Sequence, residues 1–140
     1  MTFELFEHKA DVGIKGTGKT LEEAFQEAGK ALFSIMTDIK KVGKKKSFEF
    51  EVNADNMSEL FIEFLNELLS LKDLKESFFS DFKVKLMVTG RGYNLEGKAF
   101  GEKINLKKHS VKTEVKGATY SQLKVEKEKE FFTAECIVDV

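Results

Sequence analysis

A chain of 140 residues, 41% hydrophobic and 34% charged, can bury roughly 68% of its unfolded surface. That suffices for one core over residues 1–140 and excludes a disordered chain. A formal charge of -1 excludes a globally basic nucleic-acid sleeve and leaves room only for a local patch or an indirect contact.

No apolar run approaches the roughly 20 residues that span a bilayer. The opening MTFELFEHKADV lacks the basic and apolar regions of a signal peptide, so the expected setting is cytoplasmic, without membrane contact. Cys136 is the single cysteine, so no intrachain disulfide can form. Its surroundings, AECIVDV, read as a buried strand in which a thiol acts as a small hydrophobe.

A first strand gives way to a turn near Asp11. Thr20, with Glu23 three residues later, forms a capping-box pattern that opens a helix. Leu21, Phe25, Ala28, Leu32 and Ile35 then recur at helical spacing, and the helix is expected to end near Thr37. The basic run KKVGKKK, residues 40–46, could meet phosphates, but between a helix and a strand it reads as a solvated loop. Phe48, Phe50 and Val52 alternate with glutamates as a strand. A second helix begins near Asn56 or Ser58 and exits through Asp73 to Lys75, with Leu60, Phe61, Phe64, Leu65 and Leu68 along its apolar face.

Phe82, Val84, Leu86 and Val88 alternate again, and the GRG at residues 90–92 supplies a turn. Further strands are expected at Tyr93 to Phe100, Thr113 to Tyr120, Leu123 to Val125 and Phe131 to Val138, the last two joined by the charged tip EKEKE. Two helices among many hairpin-linked strands are an α+β pattern: a two-layer arrangement with both helices on one face of a mixed, largely antiparallel sheet.

The string GIKGTGKT places Gly13, Gly18, Lys19 and Thr20 in the order of a phosphate-binding P-loop. Cys136 to Asp139 even imitates the apolar run ending in aspartate that holds magnesium in such enzymes. The context favours a strand-to-helix junction. The polar EHKAD precedes the first glycine where a buried parallel strand should stand, and the cap already employs Thr20. A P-loop core also needs several parallel strand-helix units. A nucleotide-binding enzyme built on this string is the alternative reading.

Asp11 and Asp139 both stand at ends of expected strands. If those ends adjoin, two carboxylates, a main-chain carbonyl and the terminal carboxylate at Val140 offer hard oxygen ligands, which suit Ca²⁺ or Mg²⁺ better than zinc.

The blocks FEHKADVGIKGTGKTLEEAF, ALFSIMTD, FLNELLSLKD, GEKINLKKH, TEVKGATY and CIVDV, in that order, resemble the successive signatures of the archease family over nearly the whole chain. The resemblance implies a small α+β protein that performs no catalysis itself. Such a protein activates the tRNA-splicing RNA ligase that joins 2′,3′-cyclic-phosphate or 3′-phosphate ends to 5′-hydroxyl ends, promoting its guanylylation and turnover. It meets nucleic acid indirectly, through that ligase. The resemblance also implies a metal site on Asp11, Asp139 and the carbonyl of Val140, with calcium the usual ion and magnesium a second choice. Lys116 and Glu114 of TEVKGATY, with His8 and Asp38, are the residues expected to face the partner. A general chaperone-like binding module without a dedicated ligase is a further alternative.

The chain departs from the family pattern at Lys9, Phe64, Gly117 and Ser121. Lys9 sets a positive charge beside Asp11, which favours the carboxylate form but competes with a cation. His109 matches a family histidine after GEK, where a loop hydrogen-bonding role is expected.

Overall fold

The computed structural model describes residues 2–8 and 10–140. The elements run β1 (Thr2–His8), β2 (Asp11–Gly18), α1 (Leu21–Met36), a short 3-10 helix (Ile39–Lys41), β3 (Lys46–Ala54), α2 (Met57–Lys75), β4 (Ser77–Thr89), β5 (Gly92–Lys103), β6 (Gly117–Ala118), β7 (Lys124–Glu128) and β8 (Phe131–Asp139). The α+β class and the two-helix layer are as the sequence implies.

The strands divide into two sheets instead of one, and every pairing is antiparallel among the described residues. One sheet has the order β1-β2-β8-β6, with β7 on β8 as well; the other is β3-β5-β4. Short connections such as Gly90-Arg91 between β4 and β5 force neighbours to run antiparallel, because a parallel neighbour needs a long crossover.

Both helices start where their caps dictate. The Thr20 hydroxyl oxygen accepts the Glu23 N–H at 3.1 Å, and the Asn56 side-chain amide oxygen accepts the Glu59 N–H at 2.9 Å. Each satisfies one of the orphan donors of a first helical turn. Glu76 ends α2 in the left-handed region, φ 49°. Helix α1 packs on β1, β2 and β8 of one sheet and on β4 of the other, while α2 covers β3, β4 and β5 and reaches β6 and β7. The helices therefore tie the two sheets into one apolar cluster.

Aromatic rings run through that cluster. Phe64 lies 5.7 Å from Phe25 and 5.9 Å from Phe50, and Phe33 lies 5.3 Å from Phe79. Such pairs add about 1 kcal/mol each beyond their buried area. Phe64, where the family often has tryptophan, is fully buried here.

Two expectations need correcting. The strand foreseen over Thr113 to Tyr120 shrinks to Gly117–Ala118, because Lys112 and Thr113 donate their N–H groups to the carbonyls of Met36 and Ile35 at the end of α1. That contact satisfies orphan helix carbonyls and draws the segment off the sheet. Asp11 opens β2 rather than closing a strand; it pairs with His8 as the last rung of the β1-β2 hairpin.

Candidate functional site

The GIKGTGKT string is not a phosphate loop. Gly13 to Gly18 belong to β2, which is paired on both edges, to β1 and to β8, so its amides are committed to ladders. No glycine has a positive φ among the described residues, whereas an anion-cradling nest needs alternating left-handed residues. Each glycine instead answers to packing. The Phe6 ring lies over Gly13, the α1 backbone at Ala24 and Ala28 presses against Gly16, and Glu23 fills the space beside Gly18. Lys19 and Thr20 form the bend that leads into α1.

The acidic strand ends do come together. The β2-β8 register ends at Val12↔Val138, so Asp11 and Asp139 occupy the next step on the two neighbouring strands. His8 pairs with Asp11 on the other side, and Gly117 pairs with Asp139. Positions on one rung share a face of the sheet, which sets His8, Asp11 and Asp139 in a row opposite the face through which Ile14 joins the core.

Lys116 enters through its backbone, its N–H donating to the Asp139 carbonyl at 2.7 Å. The side chains of Glu114 and Lys116 are exposed and that of Val115 is buried, so a buried valine anchors the stretch that presents them. Asn66 of α2, which sequence reasoning missed, steadies the same place: its side-chain oxygen accepts the Ala118 N–H at 2.9 Å. Nothing in the helical pattern distinguishes it from a solvated asparagine.

Asp38 follows Thr37, the C-cap of α1. Its carboxylate caps the 3-10 helix by accepting the Lys40 N–H at 3.2 Å. Lys9 lies outside the described residues.

Among the described residues neither Asp11 nor Asp139 has a hydrogen-bonding or ion-pair partner for its carboxylate, and no group of three or more His, Cys, Asp or Glu side chains gathers in a metal-binding arrangement. The donors at these strand ends are the Asp11 and Asp139 carboxylates and the Val140 carbonyl. All are hard oxygens, and the set fits Ca²⁺ or Mg²⁺ by chemistry. Cys136 is fully buried, and burial pushes its thiol up to about 12, so it holds its proton and plays the small-hydrophobe part.

The profile of the Archease protein family (MTH1598/TM1083) matches residues 3–140. The chain belongs to the archease family. "Protein archease" of Pyrococcus abyssi (strain GE5 / Orsay) is 45% identical over 125 residues, 89% of this chain and 88% of that one. "Protein archease" of Sulfurisphaera tokodaii is 37% identical over 138 residues, 99% and 98% of the two chains. The solution structure of Protein 1598 of Methanobacterium thermoautotrophicum superposes on this archease with a TM-score of 0.87 at 34% identity, covering 99% of this chain and 98% of that one. A Thermotoga maritima archease described as a possible chaperone shares the fold, with a TM-score of 0.58 at 19% identity over 98% and 96% of the chains. No helix among the described residues of this archease is long and apolar enough to cross a membrane.

Proposed function

We propose that this archease is a non-catalytic accessory protein that activates a tRNA-splicing RNA ligase, promoting the ligase's guanylylation and repeated turnover. The observation that supports this most is the meeting of Asp11, Asp139 and the Lys116 backbone at one end of the β2-β8 ladder. Family membership supplies the expectation of a ligase partner.

In this reading Asp11, Asp139 and the Val140 carbonyl would hold a Ca²⁺ or Mg²⁺ ion, which when bound supplies a compact positive charge able to meet phosphate or nucleotide oxygens. The chain's own part is positional. The β2-β8 register holds the two carboxylates at neighbouring strand ends, and the amide of Lys116 fixes the Asp139 carbonyl. The exposed Lys116 ammonium is a point charge for a phosphate or acidic group on the partner. The ligase keeps its own nucleophile in this reading, and the single thiol here is buried and protonated.

The test adds the protein to a guanylylation assay of the RNA ligase from the same organism, with Asp139→Ala and Lys116→Ala in parallel. Stimulation that is lost in Asp139→Ala and weakened in Lys116→Ala is expected. Guanylylation unchanged by the intact protein would overturn the proposal.

A further inference from the structure

Five lysines fall within residues 40–46 and four within residues 103–112, with no carboxylate in either stretch. Together they carry +9 in a chain of net charge -1. Far apart in sequence, the two stretches are joined by Glu102. Its carboxylate accepts the Gly43 N–H at 2.5 Å and the Lys108 ammonium at 2.7 Å, and Lys45 stands 3.5 Å away. The result is a groove of about 550 Å³ lined by Lys45, Lys46, Lys103, Lys108 and the exposed Leu106, with Glu102 among its walls.

Little inside the groove neutralises these charges. Glu102 is one carboxylate against four ammonium groups. Lys103 meets Glu76 only at 3.9 Å, with both side chains 74% exposed, a pair that water screens. Lys46 has no acidic partner among the described residues.

The lining indicates what would bind. Recognition of a single carboxylate favours the bidentate fork of arginine, but the chain's one arginine, Arg91, lies away from the groove in the β4-β5 turn. Several mobile lysines along a groove suit instead a repeated, diffuse negative charge, as in a phosphate backbone. No aromatic side chain lines the groove, so bases would find nothing to stack upon, and contact would be independent of sequence.

A short stretch of chain links the groove to the acidic strand ends. From Lys108 the chain crosses the carbonyl end of α1 and reaches Asp139 at Lys116, eight residues that span at most roughly 28 Å.

We propose that the Lys45, Lys46, Lys103 and Lys108 groove binds the phosphodiester backbone of a nucleic-acid strand directly, without a partner protein. This goes beyond the ligase reading, in which nucleic acid is met only through the ligase, and it does not depend on it.

Fluorescence anisotropy of the intact protein with a labelled 20-nucleotide single-stranded RNA tests the proposal. Four phosphate contacts give a plot of log affinity against log salt with a slope of about -3. The triple variant Lys45→Ala, Lys46→Ala, Lys103→Ala should bind at least tenfold more weakly in low salt, with the slope reduced by about 2. Lys83→Ala with Lys85→Ala, on the outer face of β4, should change affinity less than twofold. Asp139→Ala should bind RNA as the natural chain does while losing ligase stimulation, which separates the two proposals. Undetectable RNA binding, a triple variant that binds like the natural chain, or competition in which polyglutamate or phosphatidylserine vesicles outdo RNA would each overturn it.

Discussion

Glu102 and His109 form a buried pair, 3.1 Å from carboxylate oxygen to Nε2. The histidine is 3% exposed, and its Nδ1 accepts the Asn105 N–H at 3.0 Å. Nδ1 must therefore be bare, which leaves Nε2 as the nitrogen that carries the proton toward Glu102. The pair closes the turn 105–109 and, through Gly43, pins it to the loop before β3.

That arrangement predicts a pH dependence. The Lys108 ammonium and the Gly43 amide, opposed by burial and aided by His109, hold the Glu102 carboxyl at about 2, below its usual 4.5. Because the folded value is the lower one, ionised Glu102 favours the folded chain. That contribution is complete above about 4.5 and is lost as pH falls through about 2. Urea unfolding of Glu102→Gln should show a less stable protein at pH 7, with the gap to the natural chain narrowing steadily between about pH 5 and pH 3. A gap independent of pH would show that the charge of Glu102 contributes nothing.

Gly16 predicts a packing penalty. An added Cβ would meet the Ala24 carbonyl and the Ala28 amide of α1, backbone atoms that cannot rotate aside. Gly16→Ala should cost about 3 kcal/mol, the upper part of the usual overpacking range, read as a shift in urea midpoint at unchanged slope. Lys19→Ala, in the bend after β2, should stay within about 0.5 kcal/mol, as surface substitutions do. A nucleotide loop would reverse the emphasis, tolerating neither change in MgATP or MgGTP binding.

Much of the fold was legible in the chain. Thr20 with Glu23, and Asn56 ahead of an apolar face, announce their helices because capping is local chemistry. The alternation at Phe48, Phe50 and Val52 announces β3 for the same reason. The split into two sheets and the loss of most of the 113–120 strand depend on where distant carbonyls lie, and no pattern within 113–120 encodes the end of α1. The candidate site divides likewise. Asp11 and Asp139 stand out as acids at strand ends, while their adjacency rests on a register. Asn66 and Glu102 act through contacts to residues 118 and 43, too far off in sequence to leave a local signal.

Cys136 predicts inertness. With the side chain fully buried and the thiol pushed up to about 12, the thiolate fraction at pH 8 is of the order of 10⁻⁴, and the thiolate is the reactive form. Iodoacetamide at pH 8 should leave the folded protein unmodified for hours and label it fully in 6 M guanidinium, by intact-mass measurement. Rapid labelling of the folded chain would mean that β8 opens readily, contrary to its ladder to β2.

The strand-end donors predict an ion-dependent stability. A ligand that binds only the folded chain stabilises it by about 2.7 kcal/mol at a hundredfold excess over its dissociation constant. Ca²⁺ should raise the melting temperature on this account, Mg²⁺ should do so less because it sheds water reluctantly, and excess chelator should return it to the metal-free value. Asp11→Asn and Asp139→Asn keep the size of each side chain and remove one anionic ligand apiece, so each should abolish most of the calcium-induced shift. The metal-free variants should be no less stable than the natural chain, because removing one of two adjacent carboxylates relieves like-charge repulsion. A calcium shift that survives in Asp139→Asn would place the ion elsewhere. The metal-free melting temperatures then decide whether Asp139 serves the strand end or only the ion: a loss of stability without calcium would make it a structural residue of the β2-β8 ladder.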